Sequence, residues 1–117
     1  MDSRNPYFYS EDVNAIYDVY ILFKYYNEFF FDGILEKCTI EWSTKMTLCA
    51  GTCENKGFGS CSIKLSEPLL KFRTPNELKE TILHEMIHAF LFLTDPQACL
   101  KEGGHGKEFK DIMNNIN

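Results

Sequence analysis

The chain has 117 residues, 44% of them hydrophobic and 25% charged, with a net charge of −5 and a pI near 5.1. This is one domain's worth of ordinary globular composition, which excludes disordered, collagenous and coiled-coil chains. The acidic balance argues against a whole-surface nucleic-acid binder and leaves room only for a local basic patch.

No apolar run approaches the roughly 18–20 residues that span a bilayer, so no membrane role is expected. Asp2, Arg4, Glu11 and Asp12 leave no apolar core for a secretory signal. Five cysteines at irregular spacing do not form a secreted disulfide framework, which points to a reducing, intracellular setting. A single domain over 1–117 is expected, with 1–9 as a loose lead-in.

In chain order, Ser10 is suited to cap a first helix, with Glu11 and Asp12 at its positive end. Val13, Ile16, Tyr20, Phe23 and Phe30 recur at helical spacing, and Asp32-Gly33 stops the helix. Cys38, Ile40 and Trp42 alternate with Thr39, Glu41 and Ser43, the period of a half-buried strand. A second strand is expected over Met46 to Cys53, a turn at Asn55-Lys56-Gly57, and a third strand over Gly59 to Leu65. These strands predict a small three-stranded antiparallel sheet.

Thr74-Pro75-Asn76-Glu77 then combines a cap hydroxyl, a proline at the first helical position and a glutamate three residues past the cap. The helix it opens ends at Asp95-Pro96, and a last helix is expected over His105 to Ile116. The fold class is α+β: an N-terminal helix, a three-stranded sheet, a long central helix and a short C-terminal helix.

The central helix carries His84-Glu85-Met86-Ile87-His88, an H-E-x-x-H pattern. Residues four apart on a helix lie about 40° apart around the axis, so both imidazoles can reach one ion. Glu85, beside the first histidine, can take a proton from water at that ion without ligating it. A catalytic zinc takes three protein ligands and leaves a position open. His105, between Gly104 and Gly106, is the favoured third ligand, with Glu102 or Glu108 as carboxylate rivals. Leu91 and Thr94 stand where a metzincin would need glycine and histidine.

Met46 to Gly51, Cys61 to Leu70, His84 to Phe90 and Gly104-His105-Gly106 with Phe109 fall in one order along the chain. Together with Trp42 they resemble the SprT-like metalloprotease domain of the Spartan family of DNA–protein crosslink proteases. The resemblance runs from about Tyr17 to Ile116. It implies a zincin-like fold and a nuclear, DNA-activated zinc endopeptidase that degrades proteins trapped on DNA during repair or replication. It implies one zinc ion on His84, His88 and His105, with Glu85 catalytic. Single-stranded or junction DNA is the implied partner. Contacts to PCNA, ubiquitin and a segregase ATPase are expected only through segments outside this chain, which is expected to be a fragment of a longer protein.

Lys45, Lys64, Lys71 and Arg73 are the candidate DNA patch, and Trp42 a candidate base-stacking residue. An extended substrate is expected to pair with the third strand at a free edge, through Ser60, Ser62 and Lys64. Cys38, Cys49, Cys53 and Cys61 lack the paired spacing of a zinc ribbon and are expected in the core. Two other functions fit the same residues: a non-enzymatic DNA- or partner-binding module with a structural metal, and a zinc peptidase of soluble substrates.

Overall fold

The computed structural model describes residues 18–97 and 105–116. The elements are α1 (Val19–Phe30), β1 (Thr39–Ser43), β2 (Gly51–Gly57), β3 (Ser60–Ser66), α2 (Glu67–Leu70), α3 (Pro75–Thr94) and α4 (Lys107–Ile116). Ser10, Val13, Ile16 and the 1–9 lead-in lie outside the described residues.

Helix α1 buries Val19, Leu22, Phe23 and Tyr26, a stripe at i, i+3, i+4, i+7, whereas Tyr20 is exposed. Its end is held by Asn27. The Asn27 carbonyl accepts from the Phe31 and Gly33 N–H groups, and its side-chain Oδ1 accepts from the Leu35 N–H at 2.9 Å. Asp32 and Gly33 take the left-handed turn, with φ of 52° and 75°.

The sheet order is β1-β3-β2, and this corrects two expectations. First, the sheet is mixed. β2 and β3 are antiparallel, but β1 runs parallel to β3, with Ile40 opposite Ile63 and Trp42 opposite Leu65. The β2–β3 hairpin folds so that its second strand, not its first, lies beside β1, and the hairpin itself supplies the crossover that parallel pairing needs. Second, β3 is the central strand. Ser60, Ser62 and Lys64 therefore sit between two partners and offer no free edge to a substrate. Cys61, Ser62, Ile63, Leu65 and Ser66 are all buried, the pattern of a strand covered on both sides. Among the described residues, the unpaired edges belong to β1 and β2.

The hairpin turns at Phe58-Gly59, one step later than the expected Asn55-Lys56-Gly57. Both turn residues have positive φ, 55° and 77°, as a two-residue hairpin loop requires. Loop 44–50 is tied to the far end of β3. The Ser66 N–H donates to the Ala50 carbonyl at 2.8 Å, and the Ser66 hydroxyl donates to the Met46 carbonyl. The same hydroxyl caps α2, accepting from the Leu69 N–H.

Helix α3 starts as its sequence predicts. Thr74 Oγ1 accepts from the Glu77 N–H at 3.2 Å, and Pro75 occupies the first turn. Its buried side holds Leu78, Ile82, Leu83, Met86, Ile87, Ala89 and Leu91. These pack with Ile63 and Leu65 of β3 and Leu22, Phe23 and Tyr26 of α1 into one core. At about 25 cal/mol per Å² of apolar surface, this burial is the main force fixing α3 against the sheet. The helix stops at Asp95, as expected. No helix among the described residues is long and apolar enough to cross a membrane.

Candidate active site

The core that buries Met86 and Ile87 leaves His84 and His88 facing the other way, half-buried. His105, just ahead of α4, joins them from the next element. The Nε2 atoms lie 3.3 Å apart between His84 and His88, 3.1 Å between His88 and His105, and 3.0 Å between His105 and His84. Among the described residues this is the one group of side chains whose ligand atoms converge closely enough to hold a metal ion. Glu108 is not part of it, and Glu102 lies outside the described residues.

The donor set fits a small tetrahedral cation. Nitrogens bound to zinc at about 2.0–2.1 Å sit about 3.3 Å from one another in a tetrahedral site. The triad needs such a charge. Each Nε2 carries either a proton or a lone pair, so three mutual approaches cannot all be hydrogen bonds. A shared cation satisfies the three lone pairs at once. Burial lowers the His84 pKa, with His105 adding to the effect. Burial, then His84 and His105, lowers that of His88 to about 4. Both rings are therefore neutral near pH 7, the form that binds metal.

Phe109 holds the three rings in place. Its ring lies 4.9 Å from His84, 4.8 Å from His88 and 4.9 Å from His105, centroid to centroid, and is 5% exposed. Phe109 falls in the expected last helix, and no local pattern signals that its ring abuts all three imidazoles.

Glu85 points to the β2 side. It is 7% exposed, and burial pushes its carboxyl up to about 7. That value suits a group that must both accept and return a proton at neutral pH. Gly51, at the start of the β2 edge, lies against it. A Cβ at Gly51 would stand 2.9 Å from Glu85 Cγ, 3.1 Å from Oε2 and 3.1 Å from Thr81 Cγ2. The glycine is thus a matter of space beside the carboxylate, and nothing in the local sequence pattern signalled it. Ala50, Gly51, Arg73, Glu77, Glu80, Thr81, His84 and Glu85 line one open cleft of about 360 Å³.

The remaining candidates divide. Lys64 is exposed on β3, level with Glu41 and near Glu54, whose carboxyl is lowered first by Lys56 and more weakly by Lys64. Lys45, Lys71 and Arg73 lie on the two loops at the opposite end of the sheet from the hairpin turn. Trp42 is half-buried and packs against the core, with its indole Nε1 fully covered. Cys61 is buried and Cys38 and Cys53 are half-buried, as core residues would be, but Cys49 is exposed. Burial pushes the Cys38 and Cys53 thiols up, Cys53 far up with Cys61 and Glu85 adding to it. Thiols held protonated are poor metal ligands.

Helix α3, the β2 edge and the histidine cluster define a class: an α+β, zincin-like domain with a three-histidine group able to hold a metal ion. The SprT-like family model matches residues 19–117, and the chain belongs to that family. It is 50% identical over 108 residues to the human "DNA-dependent metalloprotease SPRTN", covering 92% of this chain and 22% of the relative. The zebrafish (Danio rerio) protein of the same name is 52% identical over 101 residues, covering 86% and 16%. The Caenorhabditis elegans "DNA-dependent metalloprotease dvc-1" is 44% identical over 104 residues, covering 86% and 28%. The chain thus spans about a fifth of the length of the curated relatives it matches.

Proposed function

We propose that this chain is the proteolytic domain of a DNA-dependent zinc endopeptidase that cleaves proteins covalently held on DNA. The convergence of three imidazole nitrogens, with the buried carboxyl of Glu85 next to His84 in the cleft, carries this reading. The names of the relatives, which call them DNA-dependent metalloproteases, support it.

In this reading His84, His88 and His105 hold the ion. Zinc, when bound there, supplies Lewis-acid polarisation of the scissile carbonyl and acidifies water. Glu85 takes the proton of the attacking water and delivers it to the leaving amine. Burial keeps its carboxyl ready for both transfers. An extended substrate pairs with the free edge of β2, which starts at Gly51 beside Glu85. This replaces the β3 edge. Phe109 keeps the imidazoles from turning apart. Repair of DNA–protein crosslinks and a nuclear location follow from the same reading.

The test is cleavage of a protein crosslinked to an oligonucleotide by the zinc-loaded chain, with and without added single-stranded DNA. Cleavage that rises with DNA and disappears in Glu85→Gln supports the proposal. Full cleavage by Glu85→Gln, or none by the parent chain under any DNA condition, refutes it.

A further inference from the structure

Phe72 is the largest side chain near the cleft that the fold does not use. It sits in the turn between α2 and α3 and is 84% exposed. Burying a Phe side chain is worth about 1.5–3 kcal/mol, so the folded domain forgoes that gain here. Leu48, in the loop that Ser66 ties down, is also exposed at this end of the sheet.

Cations stand on both sides of Phe72 in the chain, and the Lys71 ammonium lies over its ring. Lys71 Nζ stands 5.1 Å from its centroid. Arg73 follows it and lines the cleft with His84 and Glu85. Lys45 lies on the adjoining loop, and among the described residues neither Lys45 nor Lys71 has an ion-pair partner. Glu77, Glu80 and Glu85 line the same cleft as Arg73. Glu77 is engaged with Arg73 at 3.3 Å, a pair exposed to solvent and therefore weakly held.

A solvent-exposed ring with a lysine ammonium over one face and an arginine next in the chain matches single-stranded nucleic acid. Every base offers a π-face for the ring, and the phosphates on either side offer charge to the lysine and arginine. A duplex hides its base faces and would leave the ring in water. We infer that Phe72, with Lys71 and Arg73, is a stacking platform for a base of single-stranded DNA at the mouth of the cleft. The inference rests on the DNA-dependent reading above and gives that dependence a location. A strand seated on Phe72 brings any protein attached to it beside Arg73, which lines the same cleft as Glu85.

The experiment is fluorescence anisotropy of a labelled oligothymidine titrated with the zinc-loaded chain, at several salt concentrations. Phe72→Ala should weaken binding roughly 5- to 100-fold, the range for loss of one stacked base. Phe72→Trp should restore it, and its new indole emission should be quenched by the oligonucleotide. Lys71→Ala should reduce the slope of log K against log salt by about 0.7. Parent-like affinity in Phe72→Ala, or no binding by the parent chain, overturns the inference. Cleavage of an unstructured peptide without DNA is measured alongside and should be equal in the parent and Phe72→Ala. Stacking with no peptide cleavage either without or with the oligonucleotide would sink the protease reading alone; cleavage with Phe72-independent binding would sink the platform alone.

Discussion

Replacing Glu85 by glutamine should stabilise the metal-free domain while abolishing its activity. Holding the buried carboxyl at a pKa of about 7, against 4.5 when exposed, costs the ionised form about 3 kcal/mol. The sign follows from which state binds the proton more tightly. The folded state keeps it up to about pH 7, whereas the unfolded chain loses it near 4.5, so stability falls as pH rises between these values and stays low above. Glutamine is close in shape and does not titrate. The histidines run the other way, since the lowered His84 and His88 values cost stability as pH falls below the ordinary imidazole range. Comparing the two chains removes that contribution. Urea unfolding after chelation, at pH 5 and pH 8, is the assay. The parent should lose about 2–3 kcal/mol more than Glu85→Gln between the two conditions, a large part of a typical domain's stability. Equal pH dependence in the two chains would refute the claim that the carboxyl is buried and strained.

Gly51→Ala should leave metal content unchanged and lower cleavage by about tenfold or more, because displacement of a reacting group by an ångström costs on the order of a hundredfold; parent-like turnover would show that the new Cβ finds room beside Glu85. Phe109→Ala should weaken metal affinity about 10- to 100-fold, as loss of a group that orients ligands does, and unchanged affinity by competition with a chromogenic chelator would remove it from the site. Phe58→Asn, at a fully exposed turn position with φ of 55°, should raise stability by about 1 kcal/mol and Tm by a few degrees. A fall in Tm by calorimetry would mean that the Phe58 ring makes contacts that offset its strain.

The parts legible in the sequence are those fixed by local chemistry. Thr74, Pro75 and Glu77 mark the start of α3 because cap, ring and carboxylate each act within one turn. The i, i+4 histidines place themselves, since helix geometry puts both on one face. The sheet was not legible in the same way. Alternation in Cys38–Ser43 and Gly59–Leu65 reveals strands but not neighbours, and a hairpin can present either of its strands to a third. The buried Ser62 and Ser66 of β3 were the sign of a central strand, and their polarity disguised it. In α1, Tyr20 falls at helical spacing with other apolar residues, but Val19, Leu22, Phe23 and Tyr26 form the buried stripe. Gly51 matters through a contact 34 residues away, which no local pattern encodes.

Metal analysis of the purified chain, joined to X-ray absorption at the metal edge, bears most directly on the site. The geometry predicts one zinc per chain with three nitrogen donors, and a His105→Ala variant that retains less than a tenth of the parent's metal. A chain free of metal after zinc reconstitution, or one whose zinc stays fully bound without His105, would contradict it.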